Sequence, residues 1–481
     1  MTDIKRHFPA ALLFILFLVF ISQLPLDTIF QMDTHDEGYN LIKAQLLGEG
    51  HLIYSEIWSD QPPLYTWILQ HLFSFAGHSV YWVRLSSVFF YSILLAAIYY
   101  IGCRLAEGWK GAVCGLTSCI TFVFCAYSLQ LSFCVLVGLP CLMFGALSMA
   151  LLLGASPQTK AWRIALSGLL LAASLQVKLI TLPLGLIGGI WLLWKPFSLR
   201  NLCIWGGSIA LGYVLIWIPF WPGFDTYCNM LLFPHWNQDL GLLVSREESF
   251  RFILELLRKD VLVLVLAFFG LDMIYRKKEK LTLQITVWFV LAALFHLSHN
   301  PFWIHHYPFF FLPVSLLAGV GMVGIVERML AASKDQKSVF KQSAAVLTVC
   351  GLFYVNSCVD RVEAMDKWIS KALPNSKIVF IMDRMQRERA KYSHQPLLVT
   401  DQQMYAFLFD YTVPPNLAVT SFKRRASGLL NDSDILRSIR ELKPEAVLLR
   451  EVPLKKLEED SFLRENYSRV DEASLYLFFR K

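Results

Sequence analysis

Charge is what this sequence has least of. Only 17% of its 481 residues are Asp, Glu, Lys or Arg, against about 25% in soluble globular chains. That argues against a cytosolic enzyme, and a hydrophobic share of 56% excludes a disordered or fibrous chain. No CxxC pair occurs. The ten cysteines lie mostly inside apolar runs (Cys103, Cys114, Cys119, Cys125, Cys134, Cys141), and 374–481 contains none, which speaks against a disulfide framework or a zinc ribbon. A basic stripe with interleaved aromatics is also lacking, so nucleic acid is not an expected partner. Internal repeats and low-complexity segments are missing too.

The charge that is present is unevenly placed. Of 44 basic and 37 acidic side chains, 33 fall in the last 108 positions. A large membrane-embedded body followed by a smaller water-soluble domain is the organisation this implies: 1–358 in the membrane, 359–373 as a linker, 374–481 as the soluble part. A bilayer core of about 30 Å takes about 20 apolar residues per helix. The first such run is Phe8 to Leu26, preceded by Lys5, Arg6 and His7. No small-residue cleavage site follows it, so it reads as a retained anchor. Further spans are expected near 81–103, 111–130, 132–153, 164–177, 179–194, 202–221, 258–275, 281–299, 305–326 and 343–358, about eleven in all. With Lys5 and Arg6 in the cytoplasm, the loops returning to that side carry Arg104 and Lys110, Lys160 and Arg163, Lys195 and Arg200, Arg276 to Lys280, then Arg328 to Lys341. Every one is basic, as the positive-inside rule requires. The other face receives 27–80, short turns near 131 and 178, the 222–257 loop, the 300–304 turn and the C-terminal domain.

That outer face is acidic in its first loop. Residues 27–80 hold seven carboxylates (Asp27, Asp33, Asp36, Glu37, Glu49, Glu56, Asp60) and one cation, Lys43. Tyr39, Ile42, Leu46 and Leu47 recur at helical spacing, which suits a helix lying along the interface with Lys43 snorkelling out of its apolar stripe. Thr34-x-x-Glu37 has the capping-box form. Asp36 beside it is placed to act as a general base at the membrane face, where partial desolvation raises basicity; Glu37 can cap while Asp36 reacts, and the place of Glu37 in the motif makes it a catalytic candidate alongside Asp36 and Asp60. Ser59-Asp60-Gln61-Pro62-Pro63 reads as a rigid turn before a helix, with Asp60 either its N-cap or a second acid across a cleft from Asp36. In the tail, Ile378–Met382, Leu397–Thr400, Val447–Arg450 and Leu475–Phe479 read as strands. Met404–Tyr411 and Ile435–Leu442 read as helices, the second capped by Asp432 or Ser433. The alternation predicts a small α/β layer.

The stretch DEGYNLIKAQLLGEGHLIYSEIWSDQPPLY, beginning at Asp36, resembles the first extracytoplasmic loop of glycosyltransferase family 39 and related GT-C membrane glycosyltransferases, which include protein mannosyltransferases and aminoarabinose transferases. LQVKLITLPLGL around Lys178 and HHYPFFFLPVSLLAG from His305 resemble further stretches of that group, as does the order of parts. The resemblance implies a polytopic α-helical membrane protein of GT-C type with a C-terminal extracytoplasmic α/β domain. It implies inverting transfer of a sugar from a polyprenyl-phosphate-linked donor to a hydroxyl on a lipid, glycan or protein, at the extracytoplasmic face. Asp36 matches the family's catalytic aspartate and Asp60 its second acid. One departure stands out: aminoarabinose transferases place a lysine after that acid, and this chain has Gln61.

Several residues are candidates for the donor phosphate. Lys178 lies between two apolar spans at their outer end, a functional position unless it snorkels. Arg246 could clamp a phosphate bidentately, or pair with its neighbours Glu247 and Glu248. His306 and Tyr307, after His305, open span ten; histidine metal ligation would need partners such as His235, His296 or His299. A magnesium or manganese ion between Asp36 and Asp60 would offset phosphate charge but is not demanded. The lack of a KDEL-type terminus points to a bacterial inner membrane and an undecaprenyl carrier. A transporter or lipid flippase is the alternative, expected to show charges near mid-membrane on several spans or pseudo-symmetric halves; an assembly partner in envelope biogenesis is a third reading.

Overall fold

The computed structural model describes residues 36–194, 196–232, 244–277, 279–335, 337–372, 374, 376–450, 452–470 and 476–481, with scattered positions between 11 and 27. The expected first span, the capping box at Thr34 and His235 therefore lie largely or wholly outside the described residues. Helices follow one another through the body: α1 (Asp36–Gly48), α2 (Leu64–Ala76), α3 (Val80–Arg104), α4 (Gly108–Val123), α5 (Gly138–Leu152), α6 (Ala161–Val177), α7 (Leu182–Leu193), α8 (Leu199–Trp217), α9 (Arg246–Lys259), α10 (Val261–Lys277), α11 (Lys280–Ser298), α12 (Tyr307–Asp335) and α13 (Lys337–Ala372). Among the described residues, four stretches are long and apolar enough to cross a bilayer: Val80–Arg104, Leu199–Phe220, Lys280–Ser298 and Ile304–Ala331. Three shorter apolar helices, Gly138–Leu152, Ala161–Val177 and Leu179–Leu193, pack with them.

From 81 onward each expected span falls on a helix, with one informative exception. Residues 124–137, read as the end of one span and the start of the next, hold only a single helical turn at Ser128–Leu131, with Tyr127 at φ 64°. Hydropathy registers this run as apolar. It does not register that two carboxylates serve its irregular backbone. Asp260 accepts from the Ala126 amide at 3.0 Å and Glu37 from the Val135 amide at 3.3 Å. Non-helical backbone at such depth is tolerated where protein groups satisfy it. The break at Lys178 appears as expected: Lys178 is extended, a 3-10 turn covers Leu179–Thr181, and Pro183 sits in the first turn of α7.

Small residues set the closest crossings. A Cβ on Gly321 would lie 2.0 Å from the Leu266 carbonyl oxygen, and one on Gly270 2.1 Å from that of Leu317, so α10 and α12 touch backbone to backbone. Ser148 and Ser167 exchange hydroxyl-to-carbonyl bonds of 2.8 and 2.9 Å between α5 and α6. α13 runs on through 359–372, where a linker was expected, and Arg361 on it donates 2.9 Å to Asp260.

The tail contains α14 (Ser376–Arg389), β1 (Leu398–Thr400), α15 (Gln403–Leu408), α16 (Phe422–Ala426), α17 (Asp432–Leu442), β2 (Ala446–Leu449), β3 (Tyr467–Val470) and β4 (Tyr476–Arg480). The sheet order is β1-β2-β4-β3, with β1 and β2 parallel and the other pairs antiparallel. Ile378–Met382 is helical rather than a strand. Its five apolar residues belong to a longer pattern in which Ile381 and Met385, four apart, are the buried positions. The cap of α17 is Asn431, in a capping box with Asp434, not Asp432 or Ser433.

Candidate active site between the first loop and the C-terminal domain

α1 begins at the acidic pair, where the helix dipole favours negative charge. The two carboxylates diverge at once. Asp36 is exposed, while Glu37 is buried. Glu37 accepts from Arg84 Nε at 2.9 Å and Nη2 at 2.8 Å, a bidentate pair, and Arg84 also donates to the Leu26 carbonyl. Glu37 is thus occupied in joining α1 to α3 and to the 124–137 segment.

About two turns on, Lys43 is buried rather than snorkelling. Loss of water lowers its ammonium pKa, opposed by the charges of Asp60 and Asp36. The turn presenting Asp60 is tied by Ser59 Oγ and Tyr54 Oη, both donating to the Gln61 carbonyl at 3.0 and 2.7 Å. Prolines 62 and 63 then lead into α2, whose N-cap is Pro63, so Asp60 is not the cap. Instead Asp60 meets Lys423 of α16 at 2.9 Å.

From the opposite side comes Lys178. Its Nζ lies 3.0 Å from His305 Nε2. Burial lowers its pKa, with Asp36 and Asp60 raising it and Lys423 acting with the burial. Asp60 thus pairs with Lys423 and Lys178 with His305, and the charges of Asp36 and Asp60 act on both Lys43 and Lys178.

The remaining expected residues make the following contacts. Arg246 is exposed at the start of α9; Glu248 completes a capping box with Ser245, and Glu247 pairs with Arg251, so neither neighbour is spent on Arg246. His306 accepts from the Trp303 amide at 3.3 Å and packs its ring on those of His299 and His305. Tyr307 donates 2.8 Å to Asp260. Among the described residues, no three His, Cys, Asp or Glu side chains gather as a metal set.

Among the described residues, the tail closes over the first loop by several contacts besides Lys423. Tyr39 and Thr420 hydroxyls lie 3.5 Å apart, the Arg424 guanidinium sits 5.4 Å above the Trp58 ring, and Phe73 meets Phe407 at 5.3 Å. A Cβ on Gly38 would lie 2.7 Å from the Met404 amide nitrogen, so α1 approaches α15 at its backbone. On the body side, an apolar cavity of about 270 Å³ opens between α9, α10, α11 and α12, lined by residues including Leu264, Phe289, Leu297 and Phe310. His296 and Phe302 are among its lining residues, and Phe302 packs on His306, next to His305 and Lys178.

No family model matches the chain, and no curated protein matches it in sequence. Solved structures do. The aminoarabinose transferase ArnT from Cupriavidus metallidurans bound to undecaprenyl phosphate aligns over 98% of this chain and 97% of its own, at TM-score 0.65 and 12% identity. The chain has the GT-C fold. Archaeoglobus fulgidus oligosaccharyltransferase in its apo form matches at TM-score 0.56 and 10% identity, over 92% of this chain and 69% of that one. The same enzyme, AglB, in complex with an inhibitory peptide and a dolichol phosphate, matches at TM-score 0.51 and 10% identity, over 99% and 74%. A chain of this fold with these apolar helices is a membrane protein.

Sequence reasoning missed three charged residues that the fold puts to use here. Arg84 is a charge inside an apolar span, a signal that was readable. Lys43 was noticed but assigned to the surface. Lys423 sits in a Lys-Arg-Arg run far along the chain, and no local pattern ties it to Asp60.

Proposed function

We propose that this chain is an inverting glycosyltransferase that moves a hexosyl or pentosyl group from a polyprenyl-phosphate-linked donor to a hydroxyl acceptor at the extracytoplasmic membrane face. The observation that supports the reading is a pair of charged contacts beside the acidic first loop, Asp60 with Lys423 and Lys178 with His305, and an apolar cavity that packs toward His305 through Phe302 and His306. A prenyl chain needs an apolar seat and its phosphate needs cations, and such a cavity and such cations adjoin here. The fold neighbours crystallised with undecaprenyl phosphate or dolichol phosphate support the same carrier chemistry. We take the chain to cross a bacterial inner membrane about eleven times, with its N-terminus in the cytoplasm. In this reading 1–358 is the transferase body, 359–373 a helical connection and 374–481 the extracytoplasmic domain.

Asp36 takes the proton of the acceptor hydroxyl as its oxygen bonds to the anomeric carbon. The bond from that carbon to the phosphate oxygen breaks, and polyprenyl phosphate leaves with the electron pair. One displacement inverts the centre and needs one base. Lys178 offsets the charge that grows on the leaving phosphate. Asp36 and Asp60 would suit a magnesium or manganese ion shared with a substrate phosphate.

The test uses full-length protein in nanodiscs with radiolabelled undecaprenyl-phosphate-linked hexoses and pentoses and extracted envelope acceptors. Asp36→Asn should cut label transfer by about 10²–10⁴-fold while undecaprenyl phosphate still binds. Full transfer by Asp36→Asn would refute the base assignment. In a parallel reconstitution into sealed vesicles, label moving across the membrane without covalent transfer would favour the transporter.

A further inference from the structure

The chain lacks the cation that aminoarabinose transferases carry next to the second acid, having Gln61 after Asp60. A lysine nevertheless stands there. Lys423 Nζ lies 2.9 Å from Asp60 Oδ2, and both side chains are largely enclosed, at 19% and 16% exposure. It arrives from a position 363 residues further along the chain, on the short helix α16, whose N-cap Ser421 accepts from the Arg424 amide. The next residue, Arg424, is seated over Trp58, and its Nη1 donates to the Asn416 and Val419 carbonyls at 2.7 and 2.9 Å. Lys423 is therefore presented by a firmly held support. Lys178 feels Lys423 as a like charge and Asp60 as an opposite one.

A fastener between tail and body is the simplest use for such a pair. Fastening is already provided by Tyr39 with Thr420, Phe73 with Phe407, Arg424 with Trp58, and Gly38 against Met404. Charge balance suggests more. Among the described residues, Lys43 and Lys178 both feel Asp36 and Asp60, and Lys423 pairs with Asp60, so these ammonium groups outnumber the carboxylates and an anionic ligand would be accommodated. A phosphodiester brings one negative charge.

We propose that Lys423 of the C-terminal domain is a ligand of the donor phosphate, held by Asp60 until the lipid carrier arrives and then passed to the phosphate. This rests on the reading of the site as a polyprenyl-phosphate site. It makes the tail a working part of the donor pocket, and it predicts that Asp60 competes with phosphate for the same ammonium.

Competition gives a test of sign. Binding of undecaprenyl phosphate and of undecaprenol is measured for the full chain in nanodiscs with chelator present. Lys423→Met should weaken undecaprenyl phosphate about 10- to 100-fold, as loss of one charge-assisted hydrogen bond does, and leave undecaprenol unchanged. Asp60→Asn should tighten undecaprenyl phosphate, because Lys423 is released to it. A fastener predicts that both variants break the same pair and weaken binding alike. Equal weakening, or loss of undecaprenol binding by Lys423→Met, overturns the proposal and leaves the transferase reading intact. Hydrogen exchange across 403–426 reports whether the tail stays docked; if Lys423→Met undocks it, the sign found with Asp60→Asn decides. Inorganic phosphate reproducing the whole Lys423 dependence would overturn the lipid assignment. Wild-type protein that does not distinguish undecaprenyl phosphate from undecaprenol would remove the site reading, and this proposal with it.

Discussion

Glu37→Gln should unfold this protein more readily while Asp36→Asn, one residue away, should not. Glu37 and Arg84 are 2% and 0% exposed, and their contact is bidentate. A glutamine at 37 keeps one acceptor for Arg84 Nε, but it turns an amide toward Nη2, donor against donor, and leaves the guanidinium charge buried with its countercharge gone. Breaking one side of a buried pair costs about 3–5 kcal/mol, a large part of a typical total of about 5–15 kcal/mol. Arg84→Met should cost a similar amount, since it strands Glu37 and the Leu26 carbonyl. The double variant should cost clearly less than the two singles added, with a coupling of about 3 kcal/mol, because the same pair would otherwise be counted twice. Asp36 is exposed, so Asp36→Asn should stay within about 0.5 kcal/mol of the parent. Denaturant unfolding in mixed micelles, followed by tryptophan fluorescence, reads all four proteins. Additive single costs, or a Glu37→Gln protein as stable as the parent, would refute the reasoning. Full stability with transfer abolished would instead give Glu37 the chemical role suggested by its place in the motif.

Lys178 offers a pH test. Burial holds its ammonium pKa below the ordinary lysine value, so the charged form exists only below that lowered pKa and is lost as pH rises through it. Affinity for undecaprenyl phosphate should therefore begin to fall at a pH below about 10.4 and should lose this limb in Lys178→Met; a limb at or above the ordinary value contradicts the assignment. Tyr307→Phe removes a donor from Asp260 and should cost about 1–3 kcal/mol of stability with undecaprenyl phosphate affinity unchanged, whereas a selective loss of affinity would place Tyr307 on the phosphate after all. Gly321→Val should force α10 from α12 and cost about 1–3 kcal/mol or more, while Gly206→Ala on α8, where an added Cβ meets nothing within 4 Å, should be neutral or slightly stabilising; equal effects in thermal unfolding would dismiss the close-crossing argument.

The helical body was legible because lipid leaves few solutions: a long apolar run must satisfy its own backbone, and helix is the way to do so. For the same reason the break at Lys178 and its proline could be read directly. The 124–137 segment could not, since it is stabilised by Glu37 and Asp260, which come from distant parts of the chain. Ile378–Met382 failed differently: five apolar residues fit a strand or a helix until the longer pattern through Met385 is weighed. In the site, Asp36 and Asp60 were visible as acids in an acidic loop. Their partners were not. Whether Asp60 caps a helix or meets Lys423, whether Lys43 faces water or the protein interior, and whether Tyr307 turns toward a phosphate or toward Asp260 all depend on which helices stand side by side. Composition and local pattern determined the membrane body, the soluble tail and the acidic loop, because burial and backbone satisfaction act along the chain. The tertiary structure alone decided which charges meet, because Coulomb energy depends on distance in space and residues 60 and 423 have no distance until the chain folds.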